Sequence, residues 1–556
     1  MSRVLAICLD GYEPSLALAM MNAGEMPAMR DLAERSARYR LDHGPDLRTG
    51  LAGEHVATGL SATDASRWAA VHFNRDTYEV WQQGTTLPPF PSRYPFRTVV
   101  FDPPYFDLAA APGVVGMVNW GAHDPGVAPA ARPAVVMDEI LQRFGAYPAG
   151  AWIYGTPWNS VERAGAMGEH LAGAVRLRAQ IAAWLFKQRL PDWDLAILTV
   201  SEAHSAIEGL WHGIDECHPL HGLPSSAVAR AGVRAVYREI DALVRQLQAE
   251  VPDATVVVFS MHGMGANGSD PASMFLLGEL LYRHAFHAPR HNWSGELSWV
   301  REGVPALPES QAWAAFVRSG FRNSAGRRKR PLARRLGDRL ARMLRPTKRD
   351  SAVARRKRSI DWMPIADYRQ AWPLMPAFAL PSFYDGRIRL NVKGRESRGT
   401  VPLERYARVR DEIADLVRQC RNPAGGGRVV KAIEFPDRRS PLEIGETESD
   451  LIVVWDDAPL GLTHPDLGTV GPVPYRRSGG HTGQHGFAYF AGESIDPGER
   501  NVASSYDVIP TILDLLGVRD DTISGSSVLH RDGSAPPHAG SRAAVTNRAT
   551  TPARPT

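Results

Sequence analysis

Cysteine is scarce in this sequence: 3 residues in 556, Cys8, Cys217 and Cys420, scattered and with no Cys-x-x-Cys spacing. That excludes a disulfide framework and a thiolate zinc site, and fits a reducing compartment. No apolar run approaches the roughly 20 residues of a spanning helix, and the run after Met1 is too short for a signal peptide, so the expectation is a cytoplasmic protein. No charge of one sign dominates, since 64 Lys and Arg face 60 Asp and Glu. With 44% hydrophobic and 22% charged residues, disorder and collagen-like structure are excluded as well. No internal repeat and no specific nucleic-acid-binding motif is present.

The near-neutral total hides an asymmetry. Residues 322–358 carry sixteen Arg or Lys against Asp338 and Asp350, so this segment is about +14 and the remainder about −10. Leu332, Leu336, Leu340, Met343 and Leu344 recur there at helical spacing, a pattern suited to a polyanion or a membrane surface. Beyond residue 532 the chain turns Ser/Pro/Ala/Thr/Arg-rich without apolar period, and a disordered tail over 532–556 is expected.

Short β-branched and aliphatic runs alternate with long helical patterns. The strand candidates are Val4–Leu9, Thr98–Phe101, Gly113–Val118, Asp194–Val200, Thr255–Ser260, Asp450–Val454 and Gly486–Ala491. The helix candidates include Ala131–Phe144, Ala166–Phe186, Val228–Glu250 and Asp507–Leu516. This alternation predicts an α/β fold, a mostly parallel sheet with helices on both faces. The rhythm breaks over 271–445, read as an inserted cap containing a strand at Arg387–Val392 and a helix at Leu403–Val417. The predicted organisation is therefore a core over 1–270 and 446–531 with the cap between its parts.

In such sheets ligands gather outside the carboxyl ends of the strands. Four ends carry chemistry: Asp10, the run Ser201-Glu202-Ala203-His204, Met261-His262, and the stretch from His481 to His485. Carboxylates and imidazoles converging at one edge suit zinc or manganese without thiolates. His204, Glu208 and His212 recur at i, i+4 and i+8, on one face of a helix. His204 and Glu208 with His481 would form a His₂Glu set, one that catalytic zinc uses with a position left open. Glu202 is an alternative carboxylate, and His485 an additional imidazole.

The chain resembles the alkaline phosphatase superfamily, in its type I phosphodiesterase and nucleotide pyrophosphatase branch. The resemblance rests on Leu9-Asp10-Gly11, Arg48-Thr49-Gly50 ahead of Thr58-Gly59, Ser260-Met261-His262-Gly263-Met264, Gly480-His481 before Gly486, and Tyr506-Asp507-Val508-Ile509-Pro510-Thr511-Ile512-Leu513-Asp514. It implies an alkaline-phosphatase-like core, two divalent metal ions, zinc or manganese, and a hydroxyl nucleophile forming a phospho-enzyme. By motif, Thr49 would be that nucleophile and Asp10 and His262 would hold the second metal. His204, Glu208 and His481 would hold the first.

Two departures stand out. The family's Asp-x-x-x-His becomes His204-x-x-x-Glu208, and the Asp of its Ser-Asp-His-Gly becomes Met261, a weak thioether donor. The resemblance thus implies hydrolysis of a phosphodiester or pyrophosphate more readily than of a monoester, with a small anionic phosphate ester as substrate. The alternative is a catalytically degenerate member that binds an anionic ligand without turnover. A formylglycine sulfatase is excluded, because none of the cysteines lies in a Cys-x-Pro-x-Arg context. Lys393 and Arg395, in a segment similar to one in bacterial relatives, are candidate anion contacts.

Overall fold

The computed structural model describes residues 3–158, 160–292, 307, 312–321, 357–436, 440–456 and 459–529. The tail after 532 and the basic segment, apart from Lys357 and Arg358, lie outside these residues. Among the described residues no helix is long and apolar enough to cross a membrane.

The central sheet begins with β1 (Arg3–Leu9), β2 (Ala37–Asp42), β3 (Thr98–Phe101), β4 (Val114–Val118), β5 (Ala130–Arg132), β6 (Leu195–Val200) and β7 (Ala254–Ser260). The chain then leaves it to form β8 (Ala377–Leu380), β9 (Gly386–Leu390), β10 (Val430–Glu434) and β11 (Leu451–Trp455), and returns as β12 (Gly486–Ala491). From β2 inward the order is β2-β12-β7-β1-β6-β3-β4-β5. β7, β1, β6, β3 and β4 run parallel, whereas β12 is antiparallel to both its neighbours and β5 to β4.

Strand alternation splits the core in two. In β1, Leu5, Ile7 and Leu9 pack into one apolar cluster and Val4, Ala6 and Cys8 into another on the opposite face. The first is covered by α1 (Val161–Trp184) and α3 (Ser226–Glu250), with α2 (Glu202–Leu210) following β6. The second is covered by the helix Val508–Leu515. A parallel strand buried on both faces must read as a continuous apolar run, as β1 and β6 do.

The inserted region has its own antiparallel sheet, β8-β9-β11-β10, over a separate apolar cluster. Leu451–Trp455, expected among the core strands, pairs instead with β9 and β10. Its apolar run specifies burial but not which sheet provides it. The three cysteines are all unpaired.

Candidate metal centre

The site is assembled where β1, β6, β7, β4 and the turn before β12 end on one edge. Asp10 follows β1, its backbone N–H tied to the Val200 carbonyl at 2.9 Å. Gly11 then turns at φ +59°, where a Cβ would lie 2.6 Å from His204 Cβ. Only glycine admits this approach, and it brings Asp10 Oδ2 to 3.1 Å from His204 Nδ1.

Helical phase sorts the next candidates. His204 and Glu208, four residues apart on α2, share a face, with His204 Nε2 3.4 Å from Glu208 Oε1. Glu202 points elsewhere. Both its oxygens lie 3.1 Å from Arg178 Nε, and Arg178 Nη1 reaches Asp102 at 2.8 Å, all three side chains fully buried. Glu202 is thus committed to an ion cluster, while Asp102 also accepts the backbone N–H groups of Trp120 and Gly121. α2 ends at Leu210, so His212 leaves the shared face and lies 3.2 Å from Ser225 Oγ through Nε2.

That Asp102-anchored loop carries His123, which is not among the strand-end residues singled out in the sequence. Its ring stacks on His204 at 3.8 Å between centroids, and its Nε2 lies 3.8 Å from Glu208 Oε1. His123, His204 and Glu208 form a buried group whose donor atoms lie within 4.8 Å of one another, the one such metal-type group among the described residues. Its position just beyond the carboxyl end of β4 was the signal available in the sequence.

His481 Nε2 lies 3.0 Å from His204 Nε2 and 2.9 Å from the hydroxyl of Tyr384, which comes from the loop between β8 and β9. The His262 ring centroid is 4.5 Å from that of His481, and His262 Nδ1 is 3.0 Å from the Gly263 carbonyl. His485 lines neither cavity at the site. Met261 continues the alternation of Val257 and Phe259, and its side chain joins their apolar cluster. It does not line the small cavity.

Thr49 closes the turn Gly44–Thr49, and Gly50 follows at φ +71°. The Thr49 hydroxyl donates to the Asp46 carbonyl at 2.7 Å, while Leu47 and Gly50 on either side line the small cavity with Asp10, His204 and His262. Arg395 is spent on Asp450 and Glu396 inside the cap, and neither it nor Lys393 lines a cavity here. The cations that do border the larger cleft are Arg48 and Lys431.

Burial sets the protonation states. It works to raise the Asp10 carboxyl, but the imidazoles of His204, His123 and His262 outweigh it and hold Asp10 below the ordinary range. Burial, reinforced by neighbouring imidazoles, depresses His123 to about 3 and His481 well below its usual value. Both are neutral at pH 7, as metal ligation requires. Glu208 faces Arg477, which also pairs with Asp270 at 2.7 Å. Burial lowers the Arg477 guanidinium to about 10.

The donor set fits a divalent ion: two buried imidazoles, a carboxylate and His481, whose Nδ1 has no hydrogen-bond partner. His123→Ala is expected to weaken zinc binding at least about tenfold, the lower bound for losing even an outer-shell partner. Chelator competition would measure it, and unchanged affinity would remove His123 from the site.

An imidazole and carboxylate cluster on the carboxyl edge of a mostly parallel sheet defines an α/β protein with a candidate metal site. The chain belongs, through residues 4–328, to the type I phosphodiesterase / nucleotide pyrophosphatase family, within the alkaline phosphatase superfamily. These are metal-dependent hydrolases of phosphate esters. No curated protein matches the chain.

Among solved structures it is similar to phosphonoacetate hydrolase from Sinorhizobium meliloti 1021 in complex with phosphonoformate, at 13% identity over 91% of this chain and 94% of that one, TM-score 0.41. It is also similar to an inactive murine ectonucleotide pyrophosphatase / phosphodiesterase 5 in complex with AMP, at 11% identity over 95% and 98%, TM-score 0.45. A third is alkaline phosphatase PafA, at 11% identity over 95% and 99%, TM-score 0.48.

Proposed function

We infer that this chain hydrolyses a phosphodiester or pyrophosphate with Thr49 as nucleophile and a covalent phosphothreonine intermediate. The observation that carries the reading is the convergence of His123, His204 and Glu208 with Asp10, His262 and His481 at one sheet edge, beside the Thr49 turn.

His123, His204, Glu208 and His481 would hold one divalent ion, zinc or manganese, and Asp10, His262 and Thr49 would hold a second with fewer charged donors because Met261 stands in place of a carboxylate. Bound there, such ions supply positive charge to the phosphoryl oxygens and lower the pKa of a coordinated hydroxyl. The chain's own residues do the rest. To react, the Thr49 hydroxyl must give up its bond to the Asp46 carbonyl. Attack on phosphorus, with the hydroxyl proton passing to solvent, forms the Thr49 Oγ1–P bond and breaks the ester bond in line, the departing oxygen takes a proton from water, and a second water later hydrolyses the phosphothreonine to threonine and the phosphate product. Tyr384, bonded to His481 and lining both cavities, stands between the reacting phosphate and the space for the departing group.

Hydrolysis of a generic aryl phosphodiester tests this. Turnover should appear with added zinc or manganese and vanish after chelation; none across several substrates would overturn the reading. A non-catalytic anion binder is the second reading, favoured by Arg477, which occupies the Glu208 carboxylate that a metal would otherwise use alone. Metal analysis separates the two, since a catalyst should retain one or two ions and a binder none. The unpaired thiols, one of them exposed, support a cytoplasmic location.

A further inference from the structure

Beyond the metal-type cluster lies a cleft of about 1490 Å³ between the core and the cap sheet, sharing Leu47, Tyr384 and His481 with the small cavity. A phosphate seated at the cluster therefore projects its remaining group into this cleft, which exceeds the roughly 300–1,000 Å³ of typical small-molecule sites. The charges on its walls constrain that group.

Arg48, immediately before Thr49, lines the cleft but is not free. Its Nη1 and Nη2 donate to Glu434 Oε1 and Oε2 at 2.9 and 2.6 Å, joining the Thr49 turn to β10 of the cap. Its backbone carbonyl accepts from Arg387 Nη2 at 3.2 Å. A two-pronged pair fixes guanidinium orientation and cancels its charge. Arg477, the other arginine near the cluster, is committed to Asp270 and Glu208. Among the described residues lining the cleft, Lys431 is the one cation without a carboxylate partner, and Asp215 is a further carboxylate on the wall. The rest of the wall includes Trp455, Tyr475, Asn267 and Asn422, suited to a ring-bearing, hydrogen-bonding but uncharged group.

Resting on the hydrolase reading, we propose that the cleft selects phosphodiesters whose second ester group is bulky and uncharged, and that Glu434 is the specificity-determining residue that disfavours pyrophosphates. A pyrophosphate would carry further anionic phosphoryl groups past Arg48 and against the Glu434 carboxylate. Arg48 can meet them only by leaving Glu434 uncompensated, so phosphates passing the Thr49 turn encounter a like charge there, with Lys431, among the described residues, the one unpaired cation elsewhere on the wall. An uncharged group leaves the pair undisturbed.

The test uses the full chain loaded with zinc or manganese and two probes sharing one nucleoside: its p-nitrophenyl 5′-monophosphate diester and its 5′-triphosphate. Affinity by calorimetry and kcat/KM are both measured. The wild type should prefer the diester in both. Glu434→Gln should tighten triphosphate binding about tenfold relative to the diester, a shift of about 1.4 kcal/mol. Glu434 is 44% exposed on its side chain, which makes this substitution tolerable to the fold. Arg48→Gln, which leaves Glu434 uncompensated, should move the ratio the other way, whereas a merely structural pair would move it alike in both variants. Equal binding of the two probes by the wild type, or a ratio unmoved by Glu434→Gln, overturns the proposal. A binding preference without turnover of either probe would sustain the selectivity and sink the hydrolase reading; turnover without a preference would do the reverse.

Discussion

Thr49→Ala is expected to reduce turnover of an aryl phosphodiester at least about 10³-fold, roughly 4 kcal/mol of transition-state stabilisation. A hydroxyl that forms the covalent bond has no substitute when removed, whereas its ground-state bonds are modest. Thr49 Oγ1 donates to the Asp46 carbonyl and accepts from the Leu51 N–H at 3.2 Å. Losing both should cost about 1 kcal/mol of stability each at most, so the variant should remain folded. The ion assigned to His123, His204 and Glu208 should also remain, since Thr49 is not among its donors. Thr49→Ser restores the hydroxyl and should recover most of the rate. The decisive combination is metal content, melting temperature and turnover on the same preparations. Retained turnover in Thr49→Ala would remove Thr49 as nucleophile, and trapping of a phosphate adduct on the Thr49 peptide of the wild type would support it directly.

The placement of Glu208 and Met261 shows what a sequence encodes about a site. Glu202 and Glu208 were alternatives on paper, but six residues along a helix separate their directions. His204 shares its face with i+4, so Glu208 joins it and Glu202 falls to Arg178. Met261 is the mirror case. Motif alignment places it at a metal, while strand parity aligns it with Val257 and Phe259, and the apolar cluster on that face takes it. Here the local rule was legible in the chain itself.

What sequence could not supply is pairing across distance. His123 follows β4 in a loop whose course is fixed by Asp102, which accepts the Trp120 and Gly121 N–H groups and is itself held by Arg178 more than seventy residues later. Tyr384 and Arg477 reach the cluster from segments without helical or strand period, so periodicity offered no signal for them. The strand at Leu451–Trp455 was legible as a strand and not as a cap strand, because burial has no address. The double-sided burial of β1, by contrast, is written in Val4–Leu9 and specifies a strand covered on both faces.

Acidification should destabilise the metal-free protein well above the carboxylate range. Burial, the largest cause at each, holds His55 and His123 at about 3 and His72, His212 and His291 at about 4. In the unfolded chain these imidazoles titrate near 6.5. Below that pH the unfolded state binds protons the native state refuses, so stability rises with pH between about 4 and 6.5 and is lost as pH falls through that window. Each imidazole contributes about 1.4 kcal/mol per pH unit below 6.5, and five together reach several kcal/mol by about pH 5.5, a large share of the roughly 5–15 kcal/mol that stabilises a typical domain.

Buried Glu54, Asp241, Asp270 and Glu279 pull the other way, because burial raises their carboxyls and protonation then favours the native state. Among the described residues they are four against eleven histidines depressed in the native fold. The imidazoles should therefore prevail, and melting of chelator-treated protein should drop by at least about 5 °C between pH 7.5 and 5.5. A flat melting temperature across that interval would contradict the burial of these rings.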